Sequence, residues 1–205
     1  MENLDMFWNI ARDVWKIESD SIKKLFKVID KNEFINVLKV IANCKGRVIT
    51  SGAGTSAVAA KKISHSLSCI EIPSFFLTPS DALHGALGSV QKGDLMILIS
   101  KGGNTGEVVS LIKPLKEKNI TVIGVTECGD SILGEESDFL LKIKIEKEAD
   151  QFNMLATSST LSVIAVFDAI CVALMKYTKY TKEMFLKIHP SGAVGKRLKE
   201  SQLKE

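Results

Sequence analysis

The run Leu95-Met96-Ile97-Leu98-Ile99 has no polar side chain on either face. A half-solvated strand alternates apolar and polar residues, so a strand apolar throughout must be covered on both sides, as happens at the centre of a parallel sheet between two layers of helix. The strand, read from Asp94 to Ser100, gives way to Lys101-Gly102-Gly103-Asn104-Thr105-Gly106-Glu107, and a helix is expected from there to about Lys118. Arg47 to Ser51 repeats the pattern: a short β-type run ends in Gly52-Ala53-Gly54-Thr55-Ser56, and a small-residue helix follows to about Ser68. Further strands are expected near Pro73–Leu77, Ile120–Thr126 and Asp138–Ile145, with a turn at Cys128-Gly129-Asp130 and a long buried helix over about Ala156–Lys176. Strands alternating with helices predict an α/β fold, with a parallel sheet, helices on both faces and right-handed crossovers. Ligands in such sheets bind beyond the carboxyl ends of the strands.

Before the first strand the chain reads as helix. Ile10, Val14 and Ile17, then Leu25, Phe26 and Ile29, recur at helical spacing with Trp8 and Trp15 near the stripe. A second helix, about Asn32–Ala42, sets Phe34, Val37, Leu38 and Ile41 on one side. An apolar stripe this long must pack on its own domain or on another subunit.

Two strand-to-helix turns are small, polar and glycine-rich: Ser51-Gly52-Ala53-Gly54-Thr55-Ser56 and Ser100 to Gly106. Glycine lets the backbone approach a ligand, hydroxyls donate, and a helix N-terminus adds free N–H groups; together these make a phosphate site. The candidate phosphate contacts are Ser51, Gly52, Gly54, Thr55, Ser100, Gly102, Asn104 and Thr105, joined by Ser158, Ser159 and Thr160 of the cluster Thr157–Thr160 that opens the long helix. The first turn also reads G-x-G-x-x-A, but the next strand runs out at Leu77-Thr78-Pro79 without the carboxylate that would hold a dinucleotide ribose. No P-loop pattern is present either. Phosphate on a small sugar fits better than a nucleotide, and no cofactor or metal is called for.

Of the three histidines, His65 lies within a helix among small residues, while His84 and His189 lie in loops, where functional groups gather. Glu107 opens the helix after the second turn, and Glu148 follows the last strand. The remaining properties narrow the partners. Hydrophobic residues make up 45% of the 205 and the net charge is +3 without any basic block, so nucleic acid and anionic membrane are not expected partners. The four cysteines form no C-x-x-C pair and read as reduced, mostly buried thiols. The acidic start argues against a signal peptide, and the apolar segment Leu161–Met175 is short for a bilayer and interrupted by Asp168. A cytoplasmic location is expected.

These residues together resemble the sugar isomerase (SIS) domain family, and within it the arabinose 5-phosphate isomerases. The matching pieces are Gly52-Ala53-Gly54, Leu83-His84-Gly85 with Leu87-Gly88, Ser100 through Glu107, Glu148-Ala149, Thr157–Thr160 with Asp168-Ala169, and His189-Pro190-Ser191-Gly192-Ala193 with Gly195, in family order over roughly residues 45 to 198. The resemblance implies a three-layer sandwich with a five-stranded parallel sheet. The divisions are an N-terminal helical extension over residues 1–43, a phosphosugar isomerase domain over 44–198 and a tail over 199–205. Ending at Glu205, the chain resembles the short form without a following pair of CBS domains. The resemblance further implies a homo-oligomer, dimer or tetramer, with sites near subunit interfaces and the C-terminal histidine reaching a neighbour's site.

The implied reaction interconverts arabinose 5-phosphate and ribulose 5-phosphate through a cis-enediol. The matching catalytic positions are His84, Glu107, Glu148 and His189. A carboxylate, Glu107 or Glu148, would move the carbon proton, and the histidines would shuttle hydroxyl protons. Two positions depart from the family pattern: Thr55 stands where a lysine is usual, and Gly102 where a serine is, with Lys101 beside it able to restore positive charge. The alternatives are a non-catalytic phosphosugar-binding protein, which the Thr55 departure favours, and an isomerase of another sugar phosphate such as a hexulose 6-phosphate.

Overall fold

A computed structural model describes residues 4–189 and residue 191. Pro190, Gly192, Ala193, Gly195 and the tail 199–205 lie outside the described residues.

The chain opens with two helices, α1 (Leu4–Val28) and α2 (Lys31–Ala42). They part at Asp30, whose extended backbone and carboxylate, accepting from the N–H groups of Asn32 and Glu33, cap α2. There follow β1 (Val48–Gly52), α3 (Thr55–Ser68), β2 (Ser74–Phe76), α4 (Pro79–Leu83), a 3-10 turn (Ala86–Ser89) and β3 (Leu95–Ile99). Then come α5 (Gly106–Val109), α6 (Ile112–Glu117), β4 (Thr121–Thr126), α7 (Ile132–Glu136), β5 (Phe139–Lys142), α8 (Ser158–Tyr177) and α9 (Lys182–Ile188).

The five strands form one parallel sheet in the order β2-β1-β3-β4-β5. As its unbroken apolar run requires, β3 is central and buried at every residue. Alternate residues separate two cores. Val48, Leu95, Ile97 and Ile99 face α2, α3 and α8, with Ile41, Ile63 and Phe167 among the fully covered side chains. Ile49, Met96 and Leu98 face the opposite layer, made by α4, α5, α6 and α7. The three-layer sandwich is therefore present, and α2 is a full member of one layer.

Several details differ from the sequence-based expectation. The helix expected through Lys118 is two short ones, with Pro114 inside the first turn of the second, where its missing N–H costs nothing. α7 has no counterpart in that expectation; Ser131 caps it through the N–H of Gly134. Only Cys171 of the four thiols is buried, and Cys128 is exposed. The apolar segment expected to be short for a bilayer lies in a helix of 20 residues, long and apolar enough to cross one by length and composition. Here α8 packs on α1, α2 and α3, and Asp168 pairs with Lys62 of α3, which marks it as a core helix.

α1 has no buried residue. Leu25 and Ile29 near its end lean on the core, while Trp8, Trp15 and Phe26 remain 57%, 55% and 77% exposed.

Candidate functional site

From β1 the chain crosses through α3 to β2 on one side, and from β3 it moves through α5 and α6 to β4 on the other. The strand order reverses between β1 and β3, and a crevice opens there at the carboxyl ends. Both glycine-rich turns lie at this point. Gly52 pairs with Ile99, and a Cβ on it would come within 3.0 Å of the Ser56 backbone and 3.1 Å of the Ile99 carbonyl, so glycine is needed for α3 to begin so near the sheet. Gly54 takes φ +57°, and Gly103 takes φ +72° with its α-carbon against the Ser131 side chain.

Beside the first turn lies a cleft of about 420 Å³, counting its space open to solvent. Its polar lining includes Thr55, Ser56, Lys101, Glu127, Ser159 and Thr160. Behind the lining residues Lys101 and Ser159 stands Glu148, whose carboxylate is fully buried. Oε1 accepts from the Lys101 ammonium at 2.6 Å and from the Ser159 hydroxyl. Oε2 accepts from the Thr157 N–H at 2.9 Å, the Thr157 hydroxyl at 3.2 Å and the Ser159 N–H at 3.2 Å. Burial pushes the Glu148 pKa up, but the Lys101 ammonium, the Ser159 hydroxyl and the two backbone N–H groups outweigh it and bring it down to about 2.

The segment after β5 holds this carboxylate by its own polar side chains. The Glu148 N–H donates to Asn153 Oδ1 at 2.6 Å and the Ala149 N–H to the Thr157 hydroxyl at 2.9 Å. Asp150 accepts from the N–H groups of Phe152, Met154 and Leu155 at 2.8–2.9 Å, closing the loop that leads into α8.

A second hollow, about 510 Å³, lies on the other side of the same turn, lined by Gly52, Gly54, Lys61, Thr78, Ser80 and Glu107 among others. Glu107, exposed in the first turn of α5, faces this hollow. The Gly52–Ser56 turn is thus a shared wall, with Glu107 on one side and the Lys101–Glu148 pair on the other.

The remaining expected residues fall out as follows. Ser100 and Thr105 bond each other through their hydroxyls at 2.9 Å, and Ser100 also accepts from the Gly103 N–H. Asn104 Oδ1 accepts from the Ile132 N–H at 3.0 Å, the first residue of α7. Gly102 is exposed with open space around it. Ser51 and Ser158 are fully buried, their hydroxyls without a hydrogen-bond partner among the described residues, and line neither hollow. His84 is exposed at the C-terminus of α4. His189 follows α9, its ring stacked on Phe185 at 3.9 Å. The start of α9 is tied to the far end of α3 by the Tyr180 hydroxyl donating to the Cys69 carbonyl at 3.3 Å. Within one subunit neither histidine joins the cleft.

Two charged cleft residues are not singled out as site residues by the sequence: Lys101, notable there only for its charge, and Glu127. Glu127 sits one residue past β4, between that strand and the Cys128–Asp130 segment that reads as a turn. Its position at a strand's carboxyl end, the criterion that raises Glu107 and Glu148, was the available signal.

Fold and crevice together define a doubly covered parallel α/β protein with polar hollows at the carboxyl ends of its strands, beside the point where the strand order reverses. The SIS domain model matches residues 41–173, and the chain belongs to that family. It is similar to the arabinose 5-phosphate isomerase KpsF of Escherichia coli O6:H1 strain CFT073, 37% identical over 181 residues and 88% of this chain, and to the arabinose 5-phosphate isomerase GutQ of Salmonella typhi, 33% identical over 194 residues and 95% of this chain. The chain spans 55% and 60% of the length of these two curated relatives. Among solved structures, a candidate sugar-phosphate isomerase from Listeria monocytogenes is 49% identical with a TM-score of 0.90, over 93% of this chain and 100% of that one. An E. coli CFT073 protein in complex with arabinose 5-phosphate is 31% identical with a TM-score of 0.88, over the same shares.

Proposed function

We propose that the chain is an aldose–ketose isomerase that interconverts arabinose 5-phosphate and ribulose 5-phosphate. The observation that carries this reading is the pair of hollows that share the Gly52–Ser56 wall at the carboxyl ends of the strands, one lined by Lys101, Glu127 and hydroxyls of two helix starts and the other by Glu107. The names of the relatives supply the substrate.

In this reading the phosphate lies against the N–H groups and hydroxyls of the two turns, and the sugar lies over the Gly52–Ser56 wall. Proton abstraction from C2 needs a carboxylate with a free lone pair. Glu148 accepts five hydrogen bonds and is held as a strong anion, which suits it to fixing Lys101 and the start of α8 and unsuits it as the carbon base. Glu107, exposed beside the turn, takes that role. His84 and His189 act on a neighbouring subunit's sugar, and the exposed apolar face of α1 is where a second copy packs. Residues 44–198 form the phosphosugar domain in this reading, residues 1–43 the extension that meets the second copy, and 199–205 the tail; the working location is the cytoplasm.

The test is a coupled assay of the full chain with arabinose 5-phosphate. Formation of ribulose 5-phosphate is expected, falling roughly 10²-fold or more in Glu107→Gln. Tight phosphosugar binding without turnover would instead establish the non-catalytic alternative that Thr55 favours.

A further inference from the structure

Moving the carbonyl from C1 to C2 requires a group for the carbon proton and another for the two oxygen protons. Two charged residues of the cleft are left over by the reading above. Lys101 and Glu127 stand at the ends of adjacent strands, and their backbones are tied: the Lys101 carbonyl accepts from the Glu127 N–H at 2.9 Å and from the Thr126 hydroxyl at 2.9 Å. Both side chains line the same cleft. The Lys101 ammonium gives one N–H to Glu148, and its side chain is 41% exposed, which leaves it further N–H groups to donate. Glu127 Oε1 is buried and has no hydrogen-bond partner among the described residues. A buried carboxyl oxygen left unpaired costs about 1–3 kcal/mol, a deficit that a ligand hydroxyl removes.

We propose that Lys101 and Glu127 are catalytic residues, Lys101 holding O1 as it becomes negative and Glu127 carrying a proton between O2 and O1. The proposal rests on the isomerase reading. The Glu107 carboxylate takes the C2 proton; the C–H pair becomes the C1=C2 bond, and the carbonyl pair moves onto O1 against the Lys101 ammonium. Protonated Glu127 gives its proton to O1 and then takes the proton from O2. The O2–H pair closes C2=O2, and the C1=C2 pair takes the proton back from Glu107 at C1, so both carboxyl groups return to their starting states. Burial pushes the Glu127 pKa up, with the negative charge of Glu148 adding to it and Lys101, Lys144 and the Ile145 N–H opposing. The net direction is upward, which eases proton uptake by this carboxyl.

The experiment incubates the full chain with arabinose 5-phosphate in D₂O and follows both ribulose 5-phosphate and deuterium at C2 of recovered substrate. Glu127→Gln is expected to lower product formation about 10²-fold while C2 exchange stays within a few-fold of wild type, because the enediolate still forms and returns. Lys101→Met is expected to lower both together. It should also weaken binding of a hydroxamate analogue of the enediolate at least about tenfold more than binding of arabinose 5-phosphate. Should Glu127→Gln fail to fold, Glu127→Asp, which draws the carboxyl back by one methylene, is expected to show the same split in milder form. Wild-type turnover in Glu127→Gln or in Lys101→Met, or equal loss of exchange and turnover in Glu127→Gln, overturns the proposal and leaves the isomerase reading standing. If the wild-type chain neither exchanges nor isomerises, the isomerase reading itself fails and this proposal with it.

Discussion

Glu148 shows how one residue links stability to the site. Its carboxyl is held at about 2 from an ordinary 4.5. A depressed folded-state pKa means that the carboxylate stabilises the fold fully above about pH 4.5 and that this contribution is lost as pH falls toward 2. The shift corresponds to about 3 kcal/mol. Glu148→Gln is therefore expected to lose about 2–3 kcal/mol in urea unfolding at pH 7, with the gap from wild type closing as pH is lowered through 4.5 toward 2. A constant gap across that range would show that the ion pair is not its source. The importance of Glu148 was legible from its place after the last strand, but its hydrogen-bond saturation was not. That depends on Thr157 and Ser159, brought back by a loop that Asp150 and Asn153 fold. In the sequence, Ser159 and its neighbours read as phosphate ligands, because hydroxyls at a helix start look alike whether they receive a ligand or a carboxylate of their own chain.

At the scale of elements, strands bounded by glycine-rich turns were readable because burial on both faces leaves an unbroken apolar run, as in β3. Short elements were not. α7 has five residues, too few to show a period, and its place depends on distant partners: Asn104 at Ile132 and the Gly103 carbonyl accepting from the Leu133 N–H at 3.1 Å. Gly103 is where this contact is made, in left-handed backbone and with no room for a Cβ beside Ser131 and Thr126. Gly103→Ala is expected to cost about 2 kcal/mol through backbone strain and overpacking. It should also loosen the Ser100–Thr105 turn, which hydrogen exchange at the Leu133 N–H would report as lost protection. Unchanged stability would show that the α5–α7 junction yields without cost.

For the whole molecule, α1 is the long helix that packs least on the rest of the chain. Its apolar residues follow helical spacing, yet Trp8, Trp15 and Phe26 stay in solvent, with the two tryptophan rings edge to face at 5.6 Å. An apolar surface of this kind marks an interaction face. If a second copy packs on this face, Trp8→Lys with Trp15→Lys leaves the fold intact, since neither side chain enters the core, and shifts the sedimenting species to a smaller assembly; an unchanged mass would show that this face holds no second copy. If α1 brings subunits together, activity should fall with assembly, because both loop histidines lie outside their own cleft.

The most direct measurement of the central claim follows arabinose 5-phosphate and the purified wild-type chain in D₂O by NMR. Ribulose 5-phosphate carrying deuterium at C1 is the predicted result, since the proton held by a carboxyl group exchanges with solvent before it is returned. Arabinose 5-phosphate that shows binding shifts but neither product nor isotope exchange would contradict the account.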